Sequence, residues 1–242
     1  MRDYKVETEK RVAFIKEQLT ESGATGVVFG NSGGKDCALV GILCKMACDN
    51  TVGLIMPCSS SCNYGEDMTD AMTISTLFRI EKRMVDLTKT AETLKKALNT
   101  ATNLTESAEI NIAPRLRMTS LYAVATTENR LVAGTGNRSE RHMGYFTKWG
   151  DGAFDFNPIA DLTVTEVRKF LTYLDVPKRI IEKAPSAGLY DGQTDEEDMG
   201  VTYSAIDEYL TSGVCSPEDM EKIASYHKVS AHKRSPPKVY EE

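Results

Sequence analysis

Val27-Val28-Phe29-Gly30-Asn31-Ser32-Gly33-Gly34-Lys35-Asp36-Cys37 decides how this chain is read. An apolar strand runs into a turn with two adjacent glycines and then into an apolar helix. A turn of that kind sets backbone N–H groups against a phosphate, so the implied ligand is a nucleotide. A Walker-type loop would need Gly where Phe29 stands and a hydroxyl where Asp36 stands. A dinucleotide fingerprint would need a spacing that Gly30, Gly33 and Gly34 do not supply. Both readings fail. A plain Gly-Gly turn between a strand and a core helix stays open as the bland alternative.

What remains, Ser32-Gly33-Gly34-x-Asp36 with Cys37 in the usual Ser position, resembles the loop of the ATP pyrophosphatases. These enzymes cleave ATP between the α- and β-phosphates, and the loop cradles the departing pyrophosphate. Composition fits such a soluble enzyme. A chain of 242 residues with 41% apolar content can bury a full core as one α/β domain. A net charge of −6 argues against a nucleic-acid partner, which needs a basic face, although it also simply confers solubility. No stretch approaches the ~18 apolar residues of a membrane span, and the charged start Met1 to Glu9 does not read as a signal peptide. A cytoplasmic protein without membrane association is expected. Cys44-x₃-Cys48 and Cys58-x₃-Cys62 have a weak zinc spacing with no His nearby, and Cys37, Cys44 and Cys48 are predicted to share the buried face of one helix. Disulfides are not expected in a chain without an export signal.

Strand and helix patterns alternate along the chain. Periodicity predicts a helix over 4–21, strands at 27–29, 52–56, 82–85 and 131–133, and helices over 67–77, 91–98 and 109–127, the last with Pro114 near its start. The polar stretch 99–107 reads as a surface loop. Such alternation implies a parallel sheet covered by helices on both faces, with ligands at the carboxyl ends of the strands. At the end of the last strand stands Gly134-Thr135-Gly136-Asn137-Arg138-Ser139-Glu140, again a glycine turn that ends in an acid. If the two turns flank the switch point of the sheet, Asp36 and Glu140 converge on one crevice, and two hard carboxylates beside a triphosphate suit Mg²⁺. Taken alone, Glu140 is equally well read as an acid favoured by a helix start.

Ser-Gly-Gly-x-Asp, Gly134 to Glu140, and Gly144-Tyr145-Phe146-Thr147-Lys148-Trp149-Gly150-Asp151 together resemble the ammonia-dependent NAD synthetases. The resemblance continues through Asn157-Pro158-Ile159, Ala184 to Leu189, Gln193 to Glu196 and His232-Lys233-Arg234, so it covers nearly the whole chain. It implies an adenine nucleotide α-hydrolase-like fold, usually as a homodimer, and a ligase. In that reaction ATP adenylates the nicotinate carboxylate of deamido-NAD, pyrophosphate leaves, and ammonia displaces AMP to give NAD. A single synthetase domain over 1–242 with no glutaminase domain is expected. Carried over residue by residue, the ATP-binding positions are Gly30, Asn31, Ser32, Gly33, Gly34, Lys35, Asp36, Cys37, Thr135 and Ser186. The Mg²⁺ ligands are Asp36 and Glu140, and the deamido-NAD contacts are Arg115, Lys148, Asp155, His232 and Lys233. Asp36, Lys35 and Lys148 are the candidate catalytic residues. Cations and Mg²⁺ suit a step that brings a carboxylate against a phosphate.

Two departures stand out. Cys37 exchanges a hydroxyl donor for a weak S–H donor, and Val164 stands where the family commonly places a Lys that contacts ATP. Thr163 and Glu166 still read as a capping box. Lys35 is expected to take over part of the missing cation's role, with Arg168, one turn beyond Val164, as its rival. The glycine- and acid-rich segment from Ala184 to Gly200 is expected to be a lid that orders over bound nucleotides. A tRNA-modifying ATP pyrophosphatase and a catalytically weakened nucleotide-binding homologue remain alternatives.

Overall fold

Val27 and Phe29 leave their strand on one side and Val28 on the other, and all three are fully buried. A strand with that pattern must be covered on both faces. In the computed structural model, which describes residues 2–58, 64–185 and 194–240, it is. Strands β1 (Gly26–Gly30), β2 (Thr51–Ile55), β3 (Glu81–Met84) and β4 (Arg130–Ala133) form a parallel sheet in the order β3-β2-β1-β4. Val28 sits opposite Val52 on one side and Val132 on the other.

Helices alternate with these strands: α1 (Tyr4–Ser22), α2 (Lys35–Ala47), α3 (Glu66–Leu77), α4 (Thr88–Leu98), α5 (Glu106–Ile110) and α6 (Ile112–Glu128). After β4 come α7 (Arg138–Met143), α8 (Val164–Tyr173), α9 (Lys178–Ile181), α10 (Asp195–Met199), α11 (Tyr203–Ser212), α12 (Pro217–Val229) and α13 (Ala231–Arg234). On one face Val27 and Phe29 pack with Ile15 of α1, the apolar side chains of α2 and Phe170 of α8. α2 comes this close because a Cβ on Gly41 would lie 2.5 Å from the Phe29 ring. On the other face Val28, Val52 and Val132 pack with Ala91 of α4 and with Ile112 and Ala125 of α6. Each large buried side chain contributes roughly 1.5–3 kcal/mol. A third cluster, Met143, Val164, Met199, Tyr203, Ile206 and Ile223, gathers α7, α8, α10, α11 and α12. The buried Asp207 joins them, its carboxylate accepting from the Ser139 hydroxyl and the Thr165 N–H.

The expected parallel sheet is present, with strand ends within one or two residues of the sequence reading. The expected helix over 109–127 is two helices, because Pro114 lacks an N–H and would clash with a carbonyl inside a continuous helix. Breaking at Asn111 puts Pro114 in the first turn of α6, and Thr105 caps α5 inside the stretch expected to be loop. α2 ends at Ala47, so Cys48 follows it half-buried instead of sharing the buried face with Cys37 and Cys44. Part of the segment expected to be a lid is α10, capped by Thr194 with Asp195 and Met199 buried, and so has apolar anchors. Residues 186–193, with Ser186, and Cys62 lie outside the described residues.

The strand order reverses between β1 and β4, which opens a crevice at their carboxyl ends. Both glycine turns leave the sheet there. Gly33 in the first turn has φ +79°, and a Cβ on it would lie 2.1 Å from the Asp67 carbonyl oxygen. Gly23, after α1, has φ +68° but open space around it. Gly23→Ala is therefore expected to cost about 1–2 kcal/mol of backbone strain alone, and Gly33→Ala clearly more, in paired thermal unfolding curves. Equal losses would contradict the tight seating of the loop on α3.

His142 of α7 stacks on His227 of α12, with ring centroids 4.1 Å apart. Burial and the neighbouring His227, Arg234 and Arg138 push the His142 imidazole down to about 4. An unfolded chain takes up that proton near pH ~6.5, so stability is expected to fall as pH drops from there toward 4. His142→Asn is expected to flatten that decline in the melting temperature measured against pH.

Candidate active site

The first turn is anchored by side chains of its own. Asn31 is buried; its amide donates to the Ala71 carbonyl and the Ser75 hydroxyl, and its Oδ1 accepts from the Gly33 N–H. Sequence reasoning placed Asn31 among the ATP contacts, but its side chain holds the loop on α3. The Ser32 hydroxyl accepts from the Gly34 N–H and lies 3.2 Å from Cys37 Sγ. Burial pushes the Cys37 thiol up, which keeps it protonated and packed. Gly30, Asn31, Ser32, Gly34, Lys35, Asp36 and Cys37 line the crevice, while Gly33 turns away against α3. α2 begins here, so the positive end of a 13-residue helix faces the crevice.

Asp36 and Glu140 meet across the switch point through Asn137, which is fully buried. The Asn137 amide donates to Asp36 Oδ1 at 3.1 Å, its Oδ1 accepts from the Glu140 N–H, and its own N–H donates to Glu140 Oε2. The last two bonds form the capping box that starts α7. Burial and the charge of Asp36 push the Glu140 carboxyl well above the usual carboxylate range. The pair is short of positive charge. Lys35 supplies some of it, its ammonium 3.1 Å from Asp36 Oδ2 with the side chain only 5% exposed. Burial alone would lower the Lys35 pKa, but the charges of Asp36, Glu140 and Asp195 hold it above its ordinary value. The ammonium also lies 5.9 Å from the centroid of the Tyr203 ring, and the Tyr203 hydroxyl donates to Asp195 Oδ2 at 3.0 Å.

Val164, where the resemblance leads one to expect a cation, is buried in the cluster with Tyr203, Met143 and Met199. The Lys35 ammonium also lies near the Tyr203 ring. Arg168 does not line the crevice. The Thr163–Glu166 capping box is present, with both of its hydrogen bonds.

The crevice opens into a cavity of about 1290 Å³, enough for a nucleotide and a second substrate. Thr135, Glu140, His232 and Lys233 line it. The Lys233 ammonium donates to the Gly144 and Phe146 carbonyls, and burial lowers its pKa. Arg115, Lys148 and Asp155 do not line the cavity. Lys148 donates to the His232 carbonyl, and Arg115 donates to the Lys148 carbonyl at 3.4 Å. Asp155 is exposed and accepts from the Val132 N–H and the Tyr122 hydroxyl. In their place the cavity holds Arg117, Lys183, Asp195 and Tyr145. Arg117 lies two positions beyond Arg115 on α6 and so on another side of the helix. Tyr203 carried no sequence signal, and Asn137 stood in the second glycine turn without a role assigned to it.

Mg²⁺ takes one or two carboxylates and completes its shell with waters and phosphate oxygens. Asp36 and Glu140 fit that donor set, and the raised Glu140 carboxyl marks the charge deficit a cation would fill. Among the described residues no three His, Cys, Asp or Glu side chains form a metal-holding group, so substrate oxygens would have to complete the shell.

The sequence profile of the NAD synthase family matches residues 7–237. The NH(3)-dependent NAD(+) synthetase of Carboxydothermus hydrogenoformans is 45% identical over 240 residues, covering 98% of both chains. The NMN synthetase of Francisella tularensis superposes with a TM-score of 0.93 at 37% identity, covering 99% of both chains. The NH3-dependent NAD synthetase of Campylobacter jejuni, solved with nitrate, superposes at 0.79 with 31% identity over the full length of both chains. The fold is the adenine nucleotide α-hydrolase-like one, and the chain belongs to the NAD synthase family.

Proposed function

We propose that this chain forms NAD from deamido-NAD and ammonia, cleaving ATP to AMP and pyrophosphate through an adenylated deamido-NAD. The observation that carries the reading is the pair Asp36 and Glu140, tied by Asn137 in the crevice where both glycine turns meet. When bound, Mg²⁺ would neutralise phosphate charge as the nicotinate carboxylate approaches the α-phosphorus. Asp36 and Glu140 would hold it. The α2 N-terminus and the N–H groups of the first turn receive the departing pyrophosphate. Lys35 turns its ammonium to phosphate oxygens, and Cys37 and Thr135 pack against the chain of phosphates. His232 and Lys233 orient the second substrate, with Lys148 positioning His232 through its carbonyl. Ammonia then attacks the adenylated carboxyl carbon and AMP leaves with its phosphate oxygen. The chain is read as a cytoplasmic homodimer, in keeping with its family and with the lack, among the described residues, of any helix long and apolar enough to cross a membrane.

The likeness to the Francisella enzyme favours a second reading, amidation of nicotinate mononucleotide, because that superposition is much the better one. One assay separates the two. With ATP, Mg²⁺ and deamido-NAD, ammonium and not glutamine is expected to support NAD formation, with one AMP and one pyrophosphate for each NAD. A higher kcat/KM with the mononucleotide would move the assignment to the second reading, and release of ADP and phosphate would contradict both.

Lys35→Ala is expected to lower kcat/KM by about 2 kcal/mol, near thirtyfold, the scale of a charge-assisted contact. Adding Val164→Lys to that variant is expected to restore part of the loss, since it returns a cation where the resemblance implies one. Wild-type kcat/KM in Lys35→Ala at subsaturating ATP would show that Lys35 does not replace the missing cation.

A further inference from the structure

Both oxygens of Asp36 are occupied, Oδ1 by the Asn137 amide and Oδ2 by the Lys35 ammonium. Lys35 is an unusual occupant. It starts α2, where the helix dipole disfavours a cation, and it buries nearly its whole side chain. What holds it is charge. Asp36, Glu140 and Asp195 all face the ammonium, and the Tyr203 ring lies beneath it. A divalent cation approaching Asp36 and Glu140 on its own would meet this ammonium already in place, and the two like charges repel. To yield without another anion to meet, Lys35 would have to give up its pairing with Asp36 and the charges of Glu140 and Asp195. A bound nucleotide changes that balance, because its phosphates at the α2 N-terminus give the ammonium another anion and give the metal the oxygens that the protein does not supply.

We infer that Lys35 is a stand-in cation that keeps the Asp36–Glu140 seat closed to free metal and releases it only when nucleotide phosphates arrive. The inference rests on the proposed reading of Asp36 and Glu140 as metal ligands. It makes Lys35 a positioning residue for the metal as well as a phosphate contact.

The test is Mn²⁺ binding followed by electron paramagnetic resonance, with no turnover involved. Wild-type protein is expected to bind Mn²⁺ weakly alone and at least about tenfold more tightly with α,β-methylene-ATP. Lys35→Met and Lys35→Gln, with folding checked by circular dichroism, are expected to bind Mn²⁺ alone on the order of tenfold more tightly than wild type. Lys35→Arg, which keeps the charge, is expected to behave as wild type. Equal nucleotide-free affinity in wild type and whichever neutral variant folds would overturn the inference. Asp36→Asn in the presence of the analogue separates the two claims: lost Mn²⁺ binding there leaves the metal reading intact even if Lys35 proves indifferent, and unchanged binding removes the metal reading itself.

Discussion

Asp36 and Glu140, two acidic side chains in one crevice, are tied through the buried Asn137, whose side-chain amide holds Asp36 and whose main-chain N–H holds the Glu140 carboxylate. Left to themselves, two such groups would separate or one would take up a proton, and burial together with the charge of Asp36 pushes the Glu140 carboxyl up. The tie works because each acid arrives on a rigid element. Asp36 rides on α2, pinned over Phe29, and Glu140 rides on α7, whose first turn is closed by the same asparagine. The parallel order β3-β2-β1-β4 brings those two helix starts side by side.

The elements after β4 serve that arrangement. The cluster around Val164 and Tyr203 fixes α7 against α8, α11 and α12, and Ser139 of α7 is bonded to the buried Asp207. Tyr203 carries Asp195 to the edge of the crevice and offers its ring to Lys35. The C-terminal segment is then clasped to the loop after α7 by Lys233, which places His232 at the cavity wall. The site is therefore built from turns after two neighbouring strands, with helices far apart in sequence closing it.

Much of this was legible in the sequence where the signal is local. The apolar run Val27 to Phe29, the glycine turn and the apolar α2 state their own conformations, and the second glycine turn ending in Glu140 repeats the pattern. Pairing the two turns across a sheet followed from parallel topology. What escaped depends on contacts that sequence neighbours do not encode. Asn137 stands in the second glycine turn, and nothing local says that its amide reaches Asp36. Asn31 reads as a loop contact, and its burial against α3 appears only once residues 40 positions apart are packed. Arg115 and Arg117 stand on different sides of α6, and which side faces the cavity is set by how that helix packs. Lys35 reads as a cation that swings toward phosphates, and its burial against Asp36 and near Asp195, 160 residues away, appears only once α10 is packed.

Anomalous diffraction from crystals grown with Mn²⁺ and α,β-methylene-ATP tests the central claim most directly, that the two tied carboxylates are a metal seat completed by nucleotide phosphates. The account predicts a single strong manganese peak bonded to Asp36, Glu140 and phosphate oxygens, with the Lys35 ammonium turned off Asp36 toward the phosphates. A nucleotide bound in the crevice with its manganese elsewhere, and with Asp36 still paired to Lys35, would contradict it.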